Sequence, residues 1–143
     1  MIDKENEIYT RVYNALASEL GEGNFNMSGI YVAEPAMFPH IFSDMTNNYP
    51  VYEDSSMKEN YAHITITYNI YSNKSDGRKA ECKKIANIID NEMRRMNFTR
   101  VVYIHNDNPS EGTVYTNDVH DENIFRLITR YEGVASEEHF YTV

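Results

Sequence analysis

The chain has 143 residues, 41% of them hydrophobic and 24% charged, with a single cysteine and a formal net charge of −9. That length suits one domain able to bury a core, and that composition excludes wholesale disorder. A lone Cys82 excludes an intrachain disulfide and points to a reducing or indifferent compartment, while the acidic balance argues against nucleic acid as a tight partner, because phosphate binding is driven by Lys and Arg.

The charge is unevenly spread: residues 1–60 carry −7, residues 61–105 carry +4 and residues 106–143 carry −6. The opening is polar and acidic with no apolar stretch behind it, which predicts no secretory leader. No apolar run approaches the ~20 residues needed to span a bilayer, so a chain that stays in the cytoplasm where it is made is expected.

Residues 4–20 read as an amphipathic helix, since Ile8, Val12, Leu16 and Leu20 recur every four residues. Asp3 is its expected N-cap, and Gly21 and Gly23 its end. Ile30, Tyr31, Val32 and Ala33 then read as a short strand closed by Pro35, and residues 40–44 as a second strand. Residues 45–60 are polar and turn-rich. They read as a long loop, either a mobile surface loop or an arm reaching a neighbour.

Residues 61–71 alternate without a break. Ala62, Ile64, Ile66, Tyr68 and Ile70 fall on one face, which should meet the core; the other face is left for solvent or a neighbouring subunit. A second helix is predicted over residues 76–96, capped by Ser75. Cys82, Ile85, Ala86, Ile89, Met93 and Met96 form its apolar stripe, with Lys79, Lys83, Lys84, Arg94 and Arg95 off it and Asp90 placed to pair with Arg94. Asn97 ends the helix. Residues 98–105 form a strand and residues 106–109 a turn. Residues 110–122 are ambiguous in their periodicity. Residues 123–135 form a long strand with Phe125, Leu127, Thr129 and Tyr131 on one face, and residues 140–143 a last short one. The order predicts a single α+β domain over residues 1–143: a mostly antiparallel β-sheet with two main helices packed on one face.

Little in this pattern carries chemistry. Cys82 sits on an apolar helix stripe, which reads as a buried thiol rather than a nucleophile. His40, His63, His105, His120 and His139 are scattered, and no pair has zinc-motif spacing. Residues 107–112 lack the ligand spacing of a calcium loop. Gly77 stands where a helix N-terminus could meet an anion, or simply starts the helix. No catalytic residue, metal ligand or cofactor site is therefore assigned. Two surfaces stand out instead. The basic face of the second helix, with Lys79, Lys83 and Lys84, is either a solvated face or a docking site for an acidic surface. In the 45–60 segment, Met45, Asn47, Asn48, Tyr49 and Tyr52 are the candidate subunit contacts.

Several segments together resemble the phage tail-completion proteins, which include tail terminators and tail-to-head joining proteins. They are the first helix from Glu7 to Leu20, the segment from Ala33 to His40, the strand from Ala62 to Ser72 with its Ser-Asn-Lys-Ser-Asp-Gly link, the helix from Ala80 to Met96 leading into Phe98, Thr99 and Arg100, and the late strand from Ile124 to Tyr131. The resemblance covers nearly the whole chain and rests on packing patterns, not catalytic signatures. It departs from the family pattern at residues 45–60 and 110–122. It implies a small non-enzymatic virion subunit that forms a ring, typically hexameric, at the head-proximal end of a tail tube. The partners implied are further copies of itself, the tail tube protein, a sheath where one exists, and neck or connector proteins, with DNA passing through the lumen unbound and no membrane involved. A neck adaptor or stopper is the nearest alternative. A small-molecule binding domain on the same scaffold is the alternative of a different class.

Overall fold

The computed structural model describes residues 2–32, 35, 37–51, 61–74, 76–106, 124–137 and 139–141. The first helix, α1, spans Glu5–Leu20 and buries Ile8, Val12 and Leu16, the residues its four-residue spacing selects. Asp3 serves its start differently from a cap: Lys4 flanks the helix, and the Asp3 carboxylate accepts the Glu5 N–H at 3.0 Å. Gly21 ends the helix at φ 92°, a left-handed conformation that favours glycine, and its N–H bonds the Ala17 carbonyl at 3.0 Å.

The strands are β1 (Asn26–Ser28), β2 (His40–Val51), β3 (Tyr61–Ser72), β4 (Thr99–Asn106), β5 (Phe125–Ala135) and β6 (Phe140–Tyr141). They form one sheet in the order β1-β2-β3-β5-β4, with β6 paired to the end of β5. All pairings are antiparallel except β1 with β2. The second helix, α2 (Arg78–Arg95), follows β3 and packs over β3, β4 and β5, with α1 alongside it. The chain is thus an α+β fold, a mostly antiparallel sheet with two helices.

Between sheet and helices lies the main core. Ala62, Ile64, Ile66, Tyr68 and Ile70 of β3 meet Leu127, Tyr131 and Ala135 of β5 and the α2 stripe of Cys82, Ile85, Ala86, Ile89, Met93 and Met96, all buried. Each such aliphatic side chain contributes about 1.5–3 kcal/mol by leaving water. Gly133 lets Phe98 lie directly on β5: a Cβ there would stand 2.7 Å from the Phe98 ring. Asn97 closes α2 at φ 64°, as its place after the apolar stripe predicts.

Three readings need correction. The early strand is Asn26–Ser28, and Ile30, Tyr31 and Val32 lie outside any strand; Ala33 falls outside the described residues. The Ser28 hydroxyl donates to the Ile30 carbonyl at 2.6 Å and accepts the Ile30 N–H at 3.1 Å, closing a local turn that takes the chain out of the sheet. The polar segment after residue 44 is not a loop from its start: β2 runs on to Val51, paired with β3 through a bulge between Met45 and Asn47. Polarity misleads there because β1 covers only His40–Phe42, so the rest of β2 has a single partner strand among the described residues. Pro50 fits the same position, since a residue without an N–H is tolerated on an edge strand. Residues 52–60, including Tyr52, lie outside the described residues, as do residues 107–123. Finally, α2 starts at Arg78 after Gly77, whose φ of 87° demands glycine; Ser75 lies outside the described residues.

Candidate assembly surfaces

The basic helix face is real and belongs to a groove. With its apolar stripe turned to the sheet, α2 leaves Lys79, Lys83, Lys84 and Arg95 exposed. Where α2 lies beside α1, an open groove of about 730 Å³ forms. Ala15, Ala80 and Ile88 contribute its apolar lining, Lys83, Lys84 and Arg95 three cations, and Glu19 the single carboxylate. Glu92 ties the two helices: it takes Arg11 at 3.1 Å and Arg95 at 2.8 Å. Among the described residues no strand residue lines the groove.

The candidate chemical groups are placed as follows. Cys82 is buried, its Sγ 3.7 Å from the Ile70 carbonyl and 3.8 Å from that of Phe125. Burial, followed by the charge of Glu81, pushes its thiol up to about 12, so almost no thiolate forms near neutral pH. His63, His105 and His139 are exposed, while His40 is buried. Among the described residues no group of three or more His, Cys, Asp or Glu is placed to hold a metal ion, and no helix is long and apolar enough to cross a membrane. At the start of α2 the first turn already carries a carboxylate, Glu81, which accepts the Ser72 hydroxyl at 2.7 Å. A second anion there would face like charge.

The face of the sheet turned away from the helices is divided in two. At one end Tyr71 packs with Ile124 and Phe38. Beside it Arg126 lies over the Tyr71 ring, 5.9 Å from its centroid, and bonds the Asn69 side chain at 2.9 Å. Arg130 bonds the Thr67 hydroxyl at 3.0 Å. At the other end no other described residue covers the face, and a concavity of about 350 Å³ is lined by Asn47, Tyr49, His63, Thr65 and Glu132.

The sheet's flanks hold what sequence reasoning missed. Among the described residues the exposed large apolar side chains are Ile30, Tyr31, Tyr49, Val101, Tyr103, Ile104 and Tyr141. Ile30 and Tyr31 follow β1, and Tyr49 lies on β2. Val101, Tyr103 and Ile104 lie on β4, and Tyr141 on β6, which pairs β5 on the side that β4 occupies. All seven therefore fall at two opposite flanks of one sheet. The signal for β4 was present as four consecutive apolar residues, Val101 to Ile104. Such a run ordinarily reads as a strand buried on both faces; here it is an edge.

The sequence-based contact residues are not brought together. Lys79, Lys83 and Lys84 lie in the helix layer and Met45 to Tyr49 on β2. Within β2 they also divide: Met45 packs on the core, and Asn48 donates from Nδ2 to the Ile2 carbonyl at 2.9 Å, whereas Asn47 and Tyr49 are exposed. No protein-family model matches the chain, and no curated protein shows significant similarity to it.

Proposed function

We propose that this chain is a structural, non-catalytic subunit that closes into a homomeric ring, in the manner of the phage tail-completion proteins its segments resemble. The observation that carries the reading is the placement of all the described exposed large apolar side chains at two opposite flanks of one sheet. Unlike patches on opposite sides of a subunit favour head-to-tail association, and rotational closure of such contacts makes a ring. Aromatic and aliphatic residues supply most of the energy of such an interface, since exposed ion pairs add only about 0–1 kcal/mol each. In this reading a hexameric ring caps the head-proximal end of a tail tube and presents a surface to the neck. The net charge of −9 per copy lets DNA pass without the counterion release that rewards binding.

Light scattering after size-exclusion chromatography, with negative-stain microscopy of the purified full chain, tests the ring. A closed particle with a central opening is expected; a chain that stays monomeric at every concentration overturns it. In the particle of origin, loss of the chain should give tails of irregular length or tails unattached to heads. Cross-linking of the ring to the connector instead of the tube would move the assignment to a neck adaptor.

A further inference from the structure

We infer that the ring is closed by β4 of one copy pairing, antiparallel, with the outer edge of β2 in the next copy, so that the sheets join into one continuous belt. The inference rests on the ring reading and goes beyond it by naming the two edges. Among the described residues β4 pairs only with β5, and β2 beyond Phe42 pairs only with β3. An edge strand presents a row of backbone donors and acceptors that can template another chain.

The two edges match in length, direction and apolar content. The uncovered stretch of β2 runs from Ser43 to Tyr49, ending at Pro50, whose missing N–H stops the ladder. The eight residues of β4 are a comparable length. Because β2 is antiparallel to β3, β3 to β5 and β5 to β4, strands β2 and β4 run in opposite directions. In a ring closed by rotation every copy keeps its strand sense, so β4 meets the next β2 antiparallel, the more stable arrangement. The register levels Ile104 with Phe42, beside β1, so the strands lean from the ring axis by about 35–45°, as in closed barrels, which carries β4 past β1 to Asn47 and Tyr49. Register places Tyr49 opposite His63, and Ile104 opposite Ile128, which in turn lies opposite Asn69; both therefore point to the face away from the helices. They are 62% and 55% exposed. The Ser43–Tyr49 stretch carries Asp44 and no cation, and β4 carries Arg100 and no carboxylate. Arg100 does not guard the edge, because it turns toward Asp90 at 3.6 Å and over the Tyr103 ring at 4.9 Å.

Paired cysteines test the contact. Double variants of the full chain, Ile104→Cys with Asn47→Cys and Ile104→Cys with Tyr49→Cys, place thiols on the same face of the two edges. Neighbouring antiparallel strands bring Cα atoms within the roughly 4.4–6.8 Å that a disulfide spans. The native Cys82 stays silent because it is buried. Mild oxidation should give a ladder of covalent oligomers from at least one pair and none from any single variant. Tyr103→Cys, on the opposite face, should not replace Ile104→Cys. The Lys79→Glu, Lys83→Glu, Lys84→Glu triple variant should leave the ring intact. A ring seen by light scattering with no ladder from either pair, or a ring lost only in the lysine variant, overturns the edge pairing while leaving the ring standing. A ladder of open chains without closed particles supports the edge pairing and overturns the ring. No association at all overturns both.

Discussion

Ile66 and Ile104 are the same side chain on strands of the same sheet. One is 2% exposed under α2 and the other 55% exposed at the flank. Around Ile66 the apolar atoms are matched by β5 neighbours on one side and the helix stripe above. Around Ile104 the described fold supplies little cover, so most of its apolar surface stays in water. The comparison separates the residues that hold the fold together from those that the described fold leaves uncovered. It can be broken or sharpened by substitution.

The largest effect should come from the covered side. Ile89→Ala removes a fully buried side chain from the middle of α2 and should cost about 2–5 kcal/mol, read from urea unfolding. A cost below about 1 kcal/mol would mean that the interior is far looser than its burial suggests. Gly133→Ala follows. The added methyl meets the Phe98 ring at 2.7 Å and should cost about 1–3 kcal/mol through displacement of that ring. If the variant is as stable as the parent, β5 and Phe98 are not in the contact described.

A smaller effect concerns pH. His40 is buried, its Nδ1 3.0 Å from the Asn26 amide nitrogen, and burial lowers its pKa from the ordinary 6.5. Above 6.5 the ring is neutral folded or unfolded, and its contribution is fully present. As pH falls below 6.5 the unfolded chain takes a proton that the folded chain refuses, so stability is lost until the lowered folded pKa is passed. His40→Asn should therefore flatten the decline of Tm between pH 7 and 5 (a window of about two pH units). An unchanged slope would assign that decline to the carboxylates.

The smallest effect is expected at the flank. Ile104→Lys should change the stability of the isolated subunit by no more than about 0.5 kcal/mol, because little packing is lost. The same variant should weaken association strongly, by placing a hydrated charge in the proposed joint. A large loss of monomer stability would show that Ile104 already has a partner within the subunit.

The helices were legible because their periodicity is a direct image of a single covered face: every residue of the α2 stripe predicted from spacing is buried. The alternation of β3 was legible for the same reason on its helix side. Its other side was not: Thr67, Asn69 and Tyr71 are also buried, through neighbours such as Arg126, Arg130 and Ile124 that are more than fifty residues away in the chain. The polar stretch Thr46 to Pro50 reads as a loop because an edge strand needs no apolar outer contacts, so its composition resembles that of a turn region. Ile30 to Val32 misled in the opposite sense: β-prone residues were drawn out of the sheet by the Ser28 turn.

By itself the chain's order of residues determined the two helices of the described residues, the α+β class, the main core and the burial of Cys82. Each of these follows from local spacing, and local spacing is set by the 3.6- and 2-residue repeats of the backbone. Only the tertiary structure decided which strands are edges, that α1 and α2 enclose a cationic groove, and that Tyr49 and Ile104 share an uncovered face on opposite flanks. Those are consequences of strand order, and strand order depends on pairings between distant residues that no local pattern encodes.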